Sequence, residues 1–417
     1  MSTKKWMTGI VALFIAVIWA FTPAMAEEKP IKLGTLFVMS GKLGGYGKSG
    51  WQAVQLAIDE INESGGILGR KIVAFNEDEK AKPEIGVQIA KKYILKKKVD
   101  FLLGPTASSV GLAVSAVCRQ YKKILIVTQS ATDVLTGPQF HPYQFSVLSN
   151  ALMQSRAGAH YLAPKPYKRW MCIGPDYSYG HSSWETFIAK LKELRPDVEV
   201  LGELWPKLMT PDFTPFINKI LEANPDAIWS PLWGGDTVTF IKQALPFGLF
   251  DKVSFAFPVG ASMEVLIPLG KDMPEGIYMS ARYFFTTPDY GRNRRFVKAY
   301  HERFKEYPSY MAEESYAGVY FLKAAIERAG TTDSEAIIKA VEREPLAWET
   351  PEGWKIMRKE DHLAVEDVVW GETVYSEKYG FAILKNIESI QGELVVRTAE
   401  ELKEIRANYE KRMKGGK

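Results

Sequence analysis

The chain has 417 residues, 46% of them hydrophobic and 24% charged, with 33 Gly, 23 Pro, five His, two Cys and a formal net charge of +4. This composition excludes a disordered or collagen-like chain, and two cysteines exclude a disulfide scaffold or a thiolate metal site. The length exceeds one comfortable core, so two domains are expected.

At the N-terminus, Lys4 and Lys5 precede an apolar run over 10–21, and Ala24-Met25-Ala26 then offers small residues where a signal peptidase reads. The run is shorter than the about 20 residues that span a bilayer. Residues 1–26 are therefore expected to be a signal peptide cleaved after Ala26, leaving a soluble periplasmic protein with no membrane insertion. Glu27, and not Cys, follows the cut, which argues against a lipid anchor. Removing Lys4 and Lys5 from the 53 basic residues leaves 51 against 49 acidic ones over 391 mature residues. A net charge of +2 provides no field to gather nucleic acid.

Residues 31–39 read as a buried strand, followed by a glycine-rich turn and a helical stripe at Trp51, Val54, Ile58 and Ile61. The unit repeats through strand 73–75, helix 85–95, strand 101–103, the stripe Val110, Val114, Val117 and Tyr121, and strand 124–127. Such alternation implies right-handed crossovers and a parallel sheet covered on both faces. After Pro164-Lys165-Pro166 the pattern restarts, with strands 170–173, 198–204, 227–230 and 253–257 separated by helical stretches. Two doubly wound sheets are expected, with the boundary inside 143–150. A strand at 277–281 and helices at 293–306, 312–328 and 334–342 are too few for a third lobe and should return to complete an existing sheet. The stretch 397–417 is charged and apolar-poor after Leu402, which predicts an exposed, fraying helix.

In open parallel sheets ligands bind beyond the carboxyl ends of the strands. The first such turn, Ser40 through Gly47, does not complete a GxxxxGK[ST] loop, so its glycines point to close backbone approach to a small ligand with Tyr46 as an aromatic wall. The next two, Gly104-Pro105-Thr106-Ala107-Ser108-Ser109 and Thr128-Gln129-Ser130-Ala131-Thr132, offer hydroxyls and backbone N–H groups. Those groups suit a carboxylate, although Ser and Thr are equally ordinary helix caps. In the second series, Tyr179 follows one strand and Trp233 and Asp236 follow another; aromatics beside glycines suit an apolar pocket. Catalysis finds no support: His141, His160, His181, His301 and His362 form no i,i+4 pair and no HExxH, and there is no GxSxG elbow. A triad of Ser108 or Ser109 with His181 requires free choice of partners. No metal or cofactor is expected. Cys118 and Cys172 fall in different lobes and read as buried small hydrophobes.

The stretches Ile31-Lys32-Leu33-Gly34 through Met39-Ser40-Gly41, Ala57-Ile58-Asp59-Glu60-Ile61-Asn62 and Gly65-Gly66-Ile67-Leu68-Gly69-Arg70-Lys71 carry a family resemblance. Gly104-Pro105, Ser130-Ala131-Thr132, 176–180 and 318–325 continue it. Over 29–392 the chain resembles the periplasmic solute-binding proteins of the leucine/isoleucine/valine-binding family, which serve ATP-driven importers. The resemblance implies an α/β fold of two doubly wound Rossmann-like lobes joined by a three-crossover hinge, the type I periplasmic-binding fold. The N-terminal lobe would comprise 27–147 and 277–348, the C-terminal lobe 148–276 and 349–392, and 393–417 would be a charged tail. It implies a monomer that binds a branched-chain or related amino acid, aromatic acid or amide by hinge closure and delivers it to a membrane permease. A ligand-sensing receptor subunit is the alternative, followed by an exported hydrolase. By family position Tyr46 would stack on the ligand, Ser108 or Ser109 with Ser130 and Thr132 would hold its carboxylate, and Tyr179 and Asp236 would face it from the other lobe, with Trp233 lining the pocket. One departure bears on the ligand. Amino-acid binders of the family hold the substrate ammonium with an acidic residue after the strand at 253–257, and here Val259 stands at or near that place. Either Asp236 or Glu264 supplies the charge, or the ligand has no ammonium. The N-terminal-lobe disulfide of some members is also missing, since no Cys lies near Lys80 or Ala81.

Overall fold

Strands buried on both faces must be largely apolar, as the central β1 (Ile31–Phe37), β3 (Phe101–Gly104) and β4 (Leu125–Val127) of the first sheet are, whereas its edge strands β2 (Ile72–Asp78) and β5 (Gln144–Ser146) carry polar residues. The computed structural model describes residues 29–415, and the expected signal peptide lies outside them. The first sheet has the order β2-β1-β3-β4-β5 and every pair is parallel. Phe101, Leu102 and Leu103 have no exposed surface. Helices Gly44–Glu63, Pro83–Lys92 and Ser108–Tyr121 make the crossovers.

A second sheet takes β6 (Arg169–Ile173), β7 (Glu199–Leu204), β8 (Ala227–Trp229), β9 (Ser254–Phe257) and β10 (Tyr278–Ala281) in parallel. The chain then returns to the first lobe through helices Gly291–Phe304, Tyr310–Ala329 and Ser334–Arg343, of which Tyr310–Ala329 packs along Gly44–Glu63. A small antiparallel sheet follows, made of β11 (Leu346–Thr350), β12 (Gly353–Met357) and β13 (Ala364–Val365). It attaches beside β5 through a bridge between Ser146 and Leu363. Finally β14 (Val368–Ser376) and β15 (Phe381–Ile390) add antiparallel strands to the second sheet, whose order is β15-β14-β10-β9-β8-β6-β7.

The chain thus passes between the lobes three times: after β5, after β10 and between β13 and β14. The structure moves two expected boundaries. The strand expected at 277–281 in the returning part of the first lobe is β10, which extends the ladder of β9 and gives β14 its antiparallel partner, so the second crossover begins at Arg282. Of 349–392, only β14 and β15 join the second sheet. The terminal helix Ala399–Gly415 is tied down at its start by buried Leu402 and an Arg156–Glu401 ion pair, and further along by Arg406 donating to the Gly137 carbonyl at 3.2 Å.

Inside the second lobe, Trp170, Trp184, Phe187, Trp229 and Trp370 form a separate aromatic core, with Phe187 and Trp229 stacked at 3.9 Å. Helix Ala151–Leu162 reaches this core only because Gly158 has no side chain: a Cβ there would lie 2.5 Å from the Trp229 ring. Cys118 and Cys172 are free and buried.

Candidate functional site

The parallel strands of both sheets point their carboxyl ends at the cleft between the lobes, so the loops after β3, β4, β6, β8 and β9 face one another there. The lobes touch across it. Tyr46 Oη lies 3.1 Å from Ser262 Oγ, Ser49 Oγ donates to Glu264 Oε1 at 3.1 Å, and Ser182 Oγ donates to Asp133 Oδ1 at 3.3 Å. Gly234, at φ +56°, brings its backbone against the Tyr46 ring; a Cβ would sit 2.8 Å from Tyr46 Cε2. Tyr46 also packs on Trp233, with centroids 5.5 Å apart.

Between these contacts lies a small, tightly walled cavity. The first lobe lines it with Thr106, Ala107, Ser108, Gln129, Ala131, Tyr310 and Met311, and the second with Tyr177, Tyr179, Trp233 and Val259. Arg282, from the second crossover, completes the wall and, among the described residues, is the only charged side chain on it. Arg282 is 2% exposed. Its guanidinium stands 4.5 Å over the Tyr310 ring, Nε pairs with Glu314 Oε1 at 2.9 Å, and Nη2 reaches the Met311 sulfur at 3.7 Å. Nη1 and the buried Tyr179 hydroxyl have no protein partner. A guanidinium with Nη1 unpartnered among tyrosines can receive a carboxylate. Burial raises the Tyr177, Tyr179 and Tyr310 phenols, so all three stay neutral donors.

Of the residues expected from sequence, Ser108, Tyr179 and Trp233 line the cavity, and Tyr46 lies behind the wall as a contact between lobes. The remaining four point elsewhere. Ser109 is exposed on the outer side of its helix. Ser130 Oγ donates to the Pro105 and Ala107 carbonyls at 2.8 and 3.1 Å, bracing the neighbouring loop. Thr132 Oγ1 accepts from its own turn, from Val134 N at 3.3 Å. Asp236 accepts from Met209 N at 2.7 Å and is held above the ordinary range by burial. Nor do the loop N–H groups of Thr106 and Ala107 await a ligand, since they donate to Glu79 Oε1 at 3.1 and 3.0 Å. Glu264 lies outside the cavity wall and Val259 is on it, so among the described residues no carboxylate lines the site.

Arg282, Tyr310, Met311 and Tyr177 were not singled out from sequence. Arg282 directly follows a strand, and the strand-end rule reaches it once β10 is placed in the second sheet. Among the described residues no hydrogen bond joins Ser108 or Ser109 to a histidine; His181 pairs with Asp176 at 2.9 Å. Among them, too, no cluster of three or more His, Cys, Asp or Glu could hold a metal ion, and no helix is long and apolar enough to cross a membrane.

A family model described as periplasmic binding protein matches residues 30–375. The Leu/Ile/Val-binding protein homolog 4 of Brucella abortus is 26% identical over 354 residues, covering 82% of this chain and 83% of the relative. A crystal structure of a periplasmic binding protein from Burkholderia mallei superposes with a TM-score of 0.81 at 22% identity, over 89% of this chain and 97% of that one. A solute binding protein of an ABC transporter from Rhodopseudomonas palustris, solved in complex with p-hydroxybenzoic acid, gives 0.80 at 21% identity, over 88% and 98%. These similarities establish the fold.

Proposed function

The chain belongs to the periplasmic binding protein family, whose members are solute-binding proteins of transporters and not enzymes, and from that premise we propose that it carries a small aromatic carboxylate lacking an ammonium group. The observation that supports this reading is Arg282, the only charge on the cavity wall, with Nη1 unpartnered amid Tyr177, Tyr179, Trp233 and Tyr310. A buried carboxylate on this guanidinium forms a charge-assisted pair through Nη1 while a planar ring packs on the aromatic wall. A buried ammonium would meet Arg282 as a like charge and find Val259 where an anion is needed, which costs several kcal/mol. The p-hydroxybenzoic acid bound by the Rhodopseudomonas palustris protein belongs to the favoured class.

In this reading Ser108, Tyr179 and Trp233 contact the ligand, and Tyr46, with Ser262 and Trp233, latches the lobes over it. Closure about the three crossovers buries the ligand and presents a closed face to a membrane permease. Export by the segment 1–26, with Glu27 as the mature N-terminus, completes the reading.

Thermal-shift and calorimetric titration with benzoate, 4-hydroxybenzoate, benzamide, leucine and phenylalanine tests it. The acids should raise the melting temperature by several degrees at about 100 times Kd, a linkage stabilisation of about 2.7 kcal/mol. The amide and the amino acids should do little. Arg282→Met should weaken benzoate binding by about 10–100-fold, the loss of a charged hydrogen-bonded pair. Stabilisation by leucine and not by the acids would defeat the proposal.

A further inference from the structure

The back of Arg282 belongs to a buried ionic cluster that joins all three crossovers. Glu314, on helix Tyr310–Ala329, sits 2.9 Å from Arg282 Nε; the two side chains are 0% and 2% exposed. Neither Glu314 oxygen accepts a hydrogen bond. Behind it, Lys355 of β12 pairs with Glu366 at 2.5 Å, Glu313 at 3.3 Å and Glu352 at 3.5 Å, and donates to the Val147 carbonyl at 3.1 Å. Glu366, in the third crossover, accepts from Ser149 N in the first.

Two cations therefore face four carboxylates, of which Glu313, Glu314 and Glu366 are buried and Glu352 lies at the edge. Four ionised carboxylates there would leave two uncompensated negative charges, which burial disfavours. Burial raises Glu313, Glu314 and Glu352 above the ordinary carboxylate range, so protons reside in the cluster. Burial opposes the charges of Lys355 and Arg282, but the carboxylates prevail and keep both ionised.

Resting on the reading of Arg282 as the receptor for the ligand's carboxylate, we propose that Glu314 is its positioning residue: it shares the guanidinium with the ligand and holds a proton whenever a carboxylate occupies the cavity side. The proton goes onto the Glu314 carboxylate from solvent or a neighbouring acid, and no covalent bond changes. The geometry singles out Glu314. It is the acid in contact with Arg282, and its oxygens have no other donor to support a charge. The groups that face it are Glu313 and Tyr310 on its own helix, Arg282 from the second crossover, Lys355 from β12, Glu352 from the turn before β12, and Glu366 from the third crossover. Tyr179 faces Arg282 from helix Ser178–Leu194 and stays neutral through burial.

The sign follows from linkage. A carboxylate at Arg282 raises the proton affinity of Glu314 further. Below the free-state pKa of Glu314 binding is indifferent to pH; above it, binding takes up a proton and weakens as pH rises. The test is calorimetric titration of benzoate into the full-length mature protein and its Glu314→Gln variant from about pH 6 to about pH 9. For the wild type, Kd should climb toward about tenfold per pH unit at the upper end, the limit for one linked proton. The Gln variant, a neutral isostere, should vary by less than about twofold. Comparing phosphate with Tris buffer at the pH where the wild-type Kd rises should show uptake of a fraction of a proton, up to one, per benzoate. If Glu314→Gln does not fold, the same measurement on Glu79→Gln, which keeps Glu314, separates the two acids.

Glu79, pushed up to about 8 by burial behind the Thr106 loop, titrates within the pH range of the experiment. Its contribution would persist in Glu314→Gln, so the difference between the two proteins isolates Glu314. A merely structural role would shift Kd equally at every pH. Equal slopes in both proteins, or no proton uptake by the wild type, would overturn the proposal while leaving Arg282 as the receptor. Failure of benzoate to bind at any pH would instead remove that underlying reading.

Discussion

Glu79 stands where the loop after β3 was expected to offer its N–H groups to a ligand. Its carboxylate takes the Thr106 and Ala107 donors, with no exposed surface, and burial raises it from an ordinary 4.5 to about 8. The folded protein therefore binds this proton more tightly than the unfolded chain does. The associated stability is complete below about pH 4.5 and is lost as pH rises through about 8, by an amount on the order of a few kcal/mol. Glu79→Gln keeps the acceptor and removes the titration. Urea-unfolding free energies measured from pH 5 to pH 9 should fall for the wild type and lie flatter for the variant; parallel curves would refute the assignment. Ser130 and Thr132 show the limit of sequence at this scale. Their position at a strand end was legible, but whether a hydroxyl faces a ligand or braces a loop depends on a neighbour such as Pro105, which no local pattern reveals. Tyr179 and Trp233 were more legible because a large ring beside a strand-end glycine has few places to go but the cleft.

At the scale of elements, the parallel strands were readable because double burial forces continuous apolar runs such as Phe101-Leu102-Leu103. Where such a run pairs was not readable. β10 looks the same whether it closes the first sheet or extends the second, and its pairing with Ala256 and Val369 decides where Arg282 emerges. The strands β14 and β15 escaped individual notice for the opposite reason: at the sheet edge β15 is mostly exposed beyond Leu384, so its pattern is diluted with polar residues. Helix packing permits a sharper test. Helix Ala151–Leu162 follows the first crossover and lies on Trp229 and Trp370 through Gly158. Any side chain there must displace two indoles in a close-packed core, which costs about 1–3 kcal/mol. Gly158→Val should lower the melting temperature by several degrees while the folded fraction keeps its benzoate affinity, since Gly158 does not line the cavity. An unchanged melting temperature would mean that the core relaxes around the new side chain.

For the whole molecule, the interrupted chain raises the question of what makes two lobes fold as one. The cavity and its latch join the lobes only when closed, whereas the cluster around Lys355 joins the three crossovers themselves, through Val147 and Ser149 in the first, Arg282 in the second and Glu366 in the third. Side chains so connected restrict the hinge to a rigid-body swing and transmit unfolding from one lobe to the other. Removing the central cation leaves Glu313, Glu352 and Glu366 buried around an empty centre, a loss of about 3–5 kcal/mol. Lys355→Met, which keeps the aliphatic volume, should therefore lower the melting temperature and split a single calorimetric transition into two, as the lobes unfold separately. A variant that melts in one transition at the wild-type temperature would show that lobe packing alone, through the contacts of Tyr46, Ser49 and Ser182 across the cleft, carries the cooperativity, and that the buried charges serve only the ligand.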